Sequence, residues 1–391
     1  MAKSKQKRSV ILTVLLVFSS LCVLGLAVSA VSNLFIPKSS PTQEVITNAQ
    51  KARMAEATHL RENLGSLVWP GWDKAAIPLI TYNESNAFLT GVDQPQADGW
   101  IKVPQEIQRG GAWQPMRENT FFNKTYYWQP LPETGKVPEN FTVKVGDTWA
   151  ASMVAKEAGN LELIQEFREQ IPPFFRAVIP FQLAIRLFDS DWYISAVLHE
   201  SFHAYQGQLA PDRLYAAELA LIENESDYPF EEERAQITWQ AELEALQNAL
   251  RAENDQQAAS YAREFLTLRA QRRADLALSS ELIEMERQRE WLEGGAKYTE
   301  LAIWQTAAQN PQYVPIPETS SLTDFKNYQG FKGRWQNEVD QITRSANSGE
   351  TMFYYSGMAQ AFLLDRFSPD WKEAYFQPNT WLEDLLNAAI D

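Results

Sequence analysis

Apolar residues follow three different rhythms along the 391 residues of the chain. The first is an unbroken apolar run from about Val10 to Val31, free of charge, with Lys3, Lys5, Lys7 and Arg8 ahead of it. A run of that length predicts a helix able to cross a bilayer core of roughly 30 Å. The basic flank predicts that its N-terminal side stays in the cytoplasm. On this pattern residues 1–8 are a cytoplasmic basic segment and 9–31 a transmembrane anchor, with the rest of the chain periplasmic or extracellular. The alternative is secretion after signal cleavage at the small residues Ala27-Val-Ser-Ala30.

Residues 32–66 follow as a linker and a polar helix pattern that stops near Gly65, a candidate stalk. The second rhythm occupies 67–155, where short alternating runs are punctuated by Pro and Gly. Pro78-Leu-Ile-Thr-Tyr82 and Ala87-Phe-Leu-Thr-Gly91 flank Asn83-Glu-Ser-Asn86 and predict a hairpin. Phe141-Thr-Val-Lys-Val145 predicts a further strand, with Gly146-Asp147 as its turn. The third rhythm has the helical period and predicts helices over 159–171, 190–208, 211–225, 230–252, 254–276, 280–309 and 351–367. The expected fold is α+β: a small β-rich subdomain at 67–155, then a mainly helical body at 156–391.

Composition narrows the function. Thirteen Trp and twenty Phe exclude a disordered chain. A formal charge of −15 excludes nucleic acid as a partner, since that binding needs Lys and Arg against phosphate. A single cysteine, Cys22, excludes an internal disulfide and a thiolate metal site. The sequons at Asn83, Asn123 and Asn140 are permissive only.

The chemistry-bearing stretch is Ala196-Val-Leu-His-Glu-Ser-Phe-His-Ala-Tyr-Gln206. His199 and His203 are four residues apart and share one face of a helix, one turn from each other. Two imidazoles so placed can reach one zinc ion, and Glu200 beside the first can reach a water on that ion. The other face, Ile194, Leu198, Phe202 and Tyr205, would seat the helix on a core. The bland alternative is a pair of ordinary helix histidines beside a surface glutamate. Against it, two of only three histidines in the chain fall in this pattern. The third, His59, stands alone in the stalk pattern and is read as structural or solvated.

A catalytic zinc needs a third protein ligand and an open position. With no histidine beyond His203, a carboxylate must supply it. The first candidate is Glu293, in Trp291-Leu-Glu-Gly-Gly-Ala-Lys-Tyr-Thr-Glu300. Gly294 and Gly295 lie inside a helix pattern, where each costs about 1 kcal/mol relative to Ala, so close packing is expected there. The bland alternative is a solvated acidic face, because Glu286, Glu290, Lys297 and Glu300 share the stripe. The second candidate is Glu242, for which Arg269 or Arg272 on the next helix is the favoured partner.

His199-Glu200-x-x-His203 with a downstream Trp-Leu-Glu293-Gly-x-Ala-x-Tyr298 resembles the gluzincin branch of the zincin metallopeptidases. The resemblance covers some twenty residues in two stretches, and the gap between them is longer than in the best-known members. It implies a zincin-like fold, one zinc per chain held by His199, His203 and Glu293, and Glu200 as general base. The implied function is a membrane-anchored zinc hydrolase cleaving peptide or protein substrates. The enzymes it resembles often use a Tyr or His to stabilise the oxyanion. With no histidine to spare, Tyr is implied: Tyr354 and Tyr355 open a later helix, while Tyr205 and Tyr298 lie nearer the motifs. Each of these is also a plausible core aromatic. Two other classes remain, a zinc hydrolase of non-peptide bonds and a non-catalytic zincin-like scaffold.

Overall fold

The computed structural model describes residues 2–40, 45–105, 107–131, 141–176, 179–181 and 188–390, without the side chains of 2–16 and 117–120. The side chains of the basic flank and the sequon residue Asn140 therefore lie outside what the structure describes. Helix α1, Ala2–Asn33, is followed by α2, Asn48–Val68, and by strands β1 (Leu79–Tyr82), β2 (Asn86–Thr90), β3 (Trp100–Lys102) and β4 (Ile107–Arg109). Strands β5 (Gln114–Phe121), β6 (Lys124–Pro130), β7 (Phe141–Val145) and β8 (Thr148–Val154) complete the sheet. The helical part holds α3 (Lys156–Gln170), α4 (Ser190–Leu209), α5 (Pro211–Asn224), α6 (Glu233–Arg251), α7 (Asp255–Asp275) and α8 (Ser280–Arg289). A π-turn, Glu290–Gly294, leads directly into α9 (Gly295–Gln309). Then come α10 (Phe331–Arg344), α11 (Thr351–Phe367) and α12 (Leu382–Ile390).

Among the described residues no helix is long and apolar enough to cross a membrane. That overturns the transmembrane anchor at 9–31 and with it the single-pass topology. Helix α1 ends on polar groups: the Asn33 amide donates to the carbonyls of Arg176 (3.2 Å) and Ile179 (2.8 Å). It closes against protein at that end.

The expected small sheet is corrected too. Among the described residues eight strands form one sheet in the order β4-β3-β7-β8-β1-β2-β6-β5. Pairing is antiparallel throughout except where β1 runs parallel to β8, with Leu79 opposite Ala151 and Tyr82 opposite Val154. That parallel pair joins segments some seventy residues apart, a contact that local alternation does not reveal. Hydrophobic burial on both faces fixes its register: Leu79, Ile80, Ala150 and Ala151 are all buried.

Helix α2 is a core element, not a stalk. Ala52, Ala57 and Leu60 are fully buried, and it packs between α4 and α9. Its polar residues are paired inside the protein. Gln50 donates to the Tyr193 hydroxyl (2.7 Å), and Glu56 accepts from Tyr313 and the Ile316 amide. His59 lies at its outer edge, against the Val314 carbonyl and Asn63. Helix α4 is therefore walled by α2, β8 and α9. Its N-terminus is capped by Asp189, which accepts from the Trp192 amide. Asp191 accepts from the amides of Lys326 and Tyr328, both at 2.6 Å, and ties that loop to the start of the helix. Below the helix Trp69, Phe202, Trp371 and Tyr375 form an aromatic floor, with Trp69 4.8 Å from both Phe202 and Tyr375.

Candidate metal centre

On α4 the four-residue spacing places the two imidazoles edge to face, ring centres 4.8 Å apart, both nearly buried. Across from them the π-turn presents Glu293. Three atoms converge: His199 Nε2 lies 3.3 Å and His203 Nε2 3.2 Å from Glu293 Oε2, and the two nitrogens are 3.1 Å apart. Ligand atoms about 2.0–2.1 Å from a tetrahedral zinc would stand about 3.3 Å from one another. The triangle has the edges that such an ion requires, and this buried group could hold a metal ion.

The atoms behind the triangle fix which nitrogen faces the centre. The Gln206 amide donates to the carbonyls of Trp291 and Leu292 and to the Tyr375 hydroxyl. Its Oε1 is thereby left to accept from His203 Nδ1 at 2.8 Å, which puts the proton on Nδ1 and the lone pair on Nε2. His199 Nδ1 faces Glu300 Oε2 at 3.6 Å, and Glu300 is held in turn by Lys297 and Arg334. Both imidazoles therefore have an oxygen behind them and present Nε2 to the centre, the arrangement that orients metal-binding histidines. Arg289 donates to Glu293 Oε1 at 2.9 Å, so that the other carboxylate oxygen alone enters the triangle.

The electrostatics ask for a cation at this point. Burial by itself would lower the His199 pKa, yet hydrogen bonds to Glu293 and Glu300 and the charge of Glu200 push it up to about 10. Burial acts on Glu293 in the opposite sense, but His203, Arg289 and His199 hold its carboxyl well below the usual range. Glu200 keeps some exposure beside the pair; burial raises its pKa, the two histidines lower it, and Glu293 and Glu300 raise it again.

Of the two tyrosines on α11, only one reaches the centre. The Tyr354 ring lies parallel to that of His199 at 6.0 Å. Burial and the nearby carboxylates of Glu293, Glu350 and Glu200 raise its pKa well above 10, so its hydroxyl keeps its proton. Tyr355 turns instead toward Glu338 and Lys297. Tyr205 and Tyr298 are committed elsewhere, donating to the Pro70 carbonyl and to Asp365. Glu242 is removed from the triangle altogether, paired with Arg269 and Arg272. The acidic stripe of Glu286, Glu290 and Glu300 is buried, so the solvated reading of it does not hold.

Sequence reasoning passed over Gln206, Glu300, Arg289, Glu218 and Glu350. Gln206 sits three residues after His203, on the same helix face, and that spacing was a usable signal. Glu218 lies 3.5 Å from Arg289 Nη1, and Glu350 accepts from Nη2, the nitrogen that also donates to Glu293, at 2.9 Å. Burial, partly offset by Arg289, pushes Glu218 up to about 7. Nothing local in the sequence marks either residue, because both arrive from separate elements.

The fold and the site define a predominantly helical protein with a buried two-histidine, one-carboxylate centre. Comparisons with protein-family models, with curated proteins and with solved structures find no match to the chain.

Proposed function

We propose that the protein is a zinc-dependent hydrolase acting on peptide bonds, with His199, His203 and Glu293 as ligands and Glu200 as general base. The observation that carries this reading is the convergence of three electron-pair donors, with Gln206 and Glu300 behind the two imidazoles. One proton can satisfy only part of such a set, whereas one metal ion satisfies all of it. Nitrogen and carboxylate donors without thiolate suit zinc, and the resemblance to the gluzincin branch points the same way.

Zinc at this point would supply Lewis acidity, acidifying water and polarising a carbonyl. Glu200, next to His199 on α4, would take the proton from the attacking water and return it to the leaving amine. Its upward-shifted carboxyl is suited to carrying a proton in both directions. Tyr354, whose ring stacks on that of His199 and whose hydroxyl keeps its proton, would be the chain's donor for the developing oxyanion.

The test is metal content and turnover of the purified chain. One zinc per chain is expected, lost in His199→Ala and in Glu293→Ala. Glu200→Gln should keep the zinc and lose hydrolysis of a peptide library by at least about 100-fold. A fully active Glu200→Gln sinks the mechanism. Zinc without turnover of any peptide, ester or amide favours a binding protein, and turnover of esters or non-peptide amides alone favours a different hydrolase.

A further inference from the structure

The segment that carries Glu293 is not a regular helix, and the reason lies on the side away from the metal centre. In an unbroken α-helix Glu286, Glu290 and Glu293 would fall within about 60° of one another and face the same way. They do not. Glu286 and Glu290 point to α7, where Arg272 Nη1 meets Glu286 at 2.6 Å and Arg269 grips Glu290 with two bonds of 2.8 and 2.5 Å. Glu293 points to the histidines of α4. The π-turn at Glu290–Gly294 separates the two directions, because its wider turn advances each residue by a smaller angle.

A π-turn is rare and must be held by its surroundings. Its first residue, Glu290, is bound by three donors: both terminal nitrogens of Arg269 and the Ser356 hydroxyl at 2.5 Å. Arg269 is itself fixed by Glu383 at 2.9 Å and Glu242 at 3.3 Å. Glu290, Arg269 and Ser356 are each no more than 2% exposed, so these bonds face little competition from water. The last residue of the turn, Gly294, packs directly on the backbone of Gly357.

We infer that Arg269 and Glu290 are positioning residues for the metal ligand: by clamping the start of the π-turn they rotate Glu293 toward His199 and His203. This rests on the metal-centre reading above. It also assigns a role to the charged hairpin of α6 and α7, whose inner face supplies Arg269 and Glu242 to hold the ligand-bearing segment from behind. Without the clamp the segment relaxes toward a regular helix, and Glu293 swings toward the arginines.

The test is the zinc dissociation constant of the full chain, measured by competition with a chromophoric chelator, together with the ligand-field absorption of bound Co2+. Arg269→Lys and Glu290→Gln are expected to weaken zinc at least about ten-fold, the range seen when groups behind metal ligands are removed, and to alter the Co2+ spectrum. Ser356→Ala, which removes one hydroxyl from the clamp, should weaken zinc by a smaller factor. Arg273→Lys, which disturbs pairs to Glu286 and Glu383 but not Glu290, should lower stability and leave the affinity unchanged. Native-like Arg269→Lys and Glu290→Gln chains that bind zinc as tightly as the wild type overturn the clamp. If those two do not fold, Ser356→Ala decides, and an unchanged affinity there overturns it equally. A wild-type chain that takes up no metal removes the metal centre and the clamp together, whereas wild-type binding with unaltered variants removes the clamp alone.

Discussion

Gln206 shows how much chemistry rests on one side chain. Its amide nitrogen has three acceptors, so its oxygen has one remaining task, to accept from His203 Nδ1. Replacing it by Leu would leave the Nδ1 proton without a partner in a buried site and release the ring from its orientation. Gln206→Leu is expected to weaken metal binding by about 10–100-fold while Glu200 chemistry at saturating metal survives. Chelator competition measures the first effect and turnover with excess zinc the second. At this scale the motif residues His199, Glu200 and His203 were legible, because helical spacing alone puts them together. Glu218 and Glu350 were not, since each is brought to the site by a different element, whereas Arg289, four residues before Glu293, was within local reach.

At the scale of elements, periodicity located the helices well. The structure has Ser190–Leu209 for the predicted 190–208 and Thr351–Phe367 for 351–367. The hairpin at Leu79–Tyr82 and Asn86–Thr90 was equally local. The π-turn inside 280–309 was hidden, since a single extra residue in a turn leaves the apolar rhythm almost unchanged. Gly294 and Gly295 marked only the close packing there: a Cβ on Gly294 would collide with Gly357, and one on Gly295 with the Tyr375 hydroxyl. The reciprocal position is a test of the crossing, for a Cβ on Gly357 would lie 2.5 Å from the Glu290 carbonyl oxygen. Backbone cannot retreat as a flexible side chain can. Gly357→Ala is expected to cost about 1–3 kcal/mol, measurable by urea unfolding. A variant as stable as the wild type would show that α11 moves aside freely.

For the whole molecule, a metal ion held by this group would also be a fastening. It would join α4 to the π-turn between α8 and α9, elements some ninety residues apart in sequence, and no unfolded chain holds the three donors together. Ligand that binds only the native state adds about 2.7 kcal/mol at a hundred times its dissociation constant. Thermal unfolding should therefore shift upward with zinc and downward with a chelator. His199→Ala should abolish the dependence; a persistent zinc shift in that variant would place the stabilising ion elsewhere.

By itself the sequence determined the helical segments, the local hairpin, the exclusion of thiolate ligands and the pairing of His199 with His203 around Glu200. These follow from periods of two and 3.6 residues and from composition, which act over a few neighbouring positions. Tertiary structure alone decided that the polar pattern at 48–68 is a core helix, and that β1 lies against β8. It also turned the acidic stripe inward, with Glu286 and Glu290 meeting arginines and Glu293 meeting histidines. The physical reason is common to all three. A polar group may be buried only when a partner is present, and for these residues the partner comes from a distant part of the chain, where no local pattern can announce it.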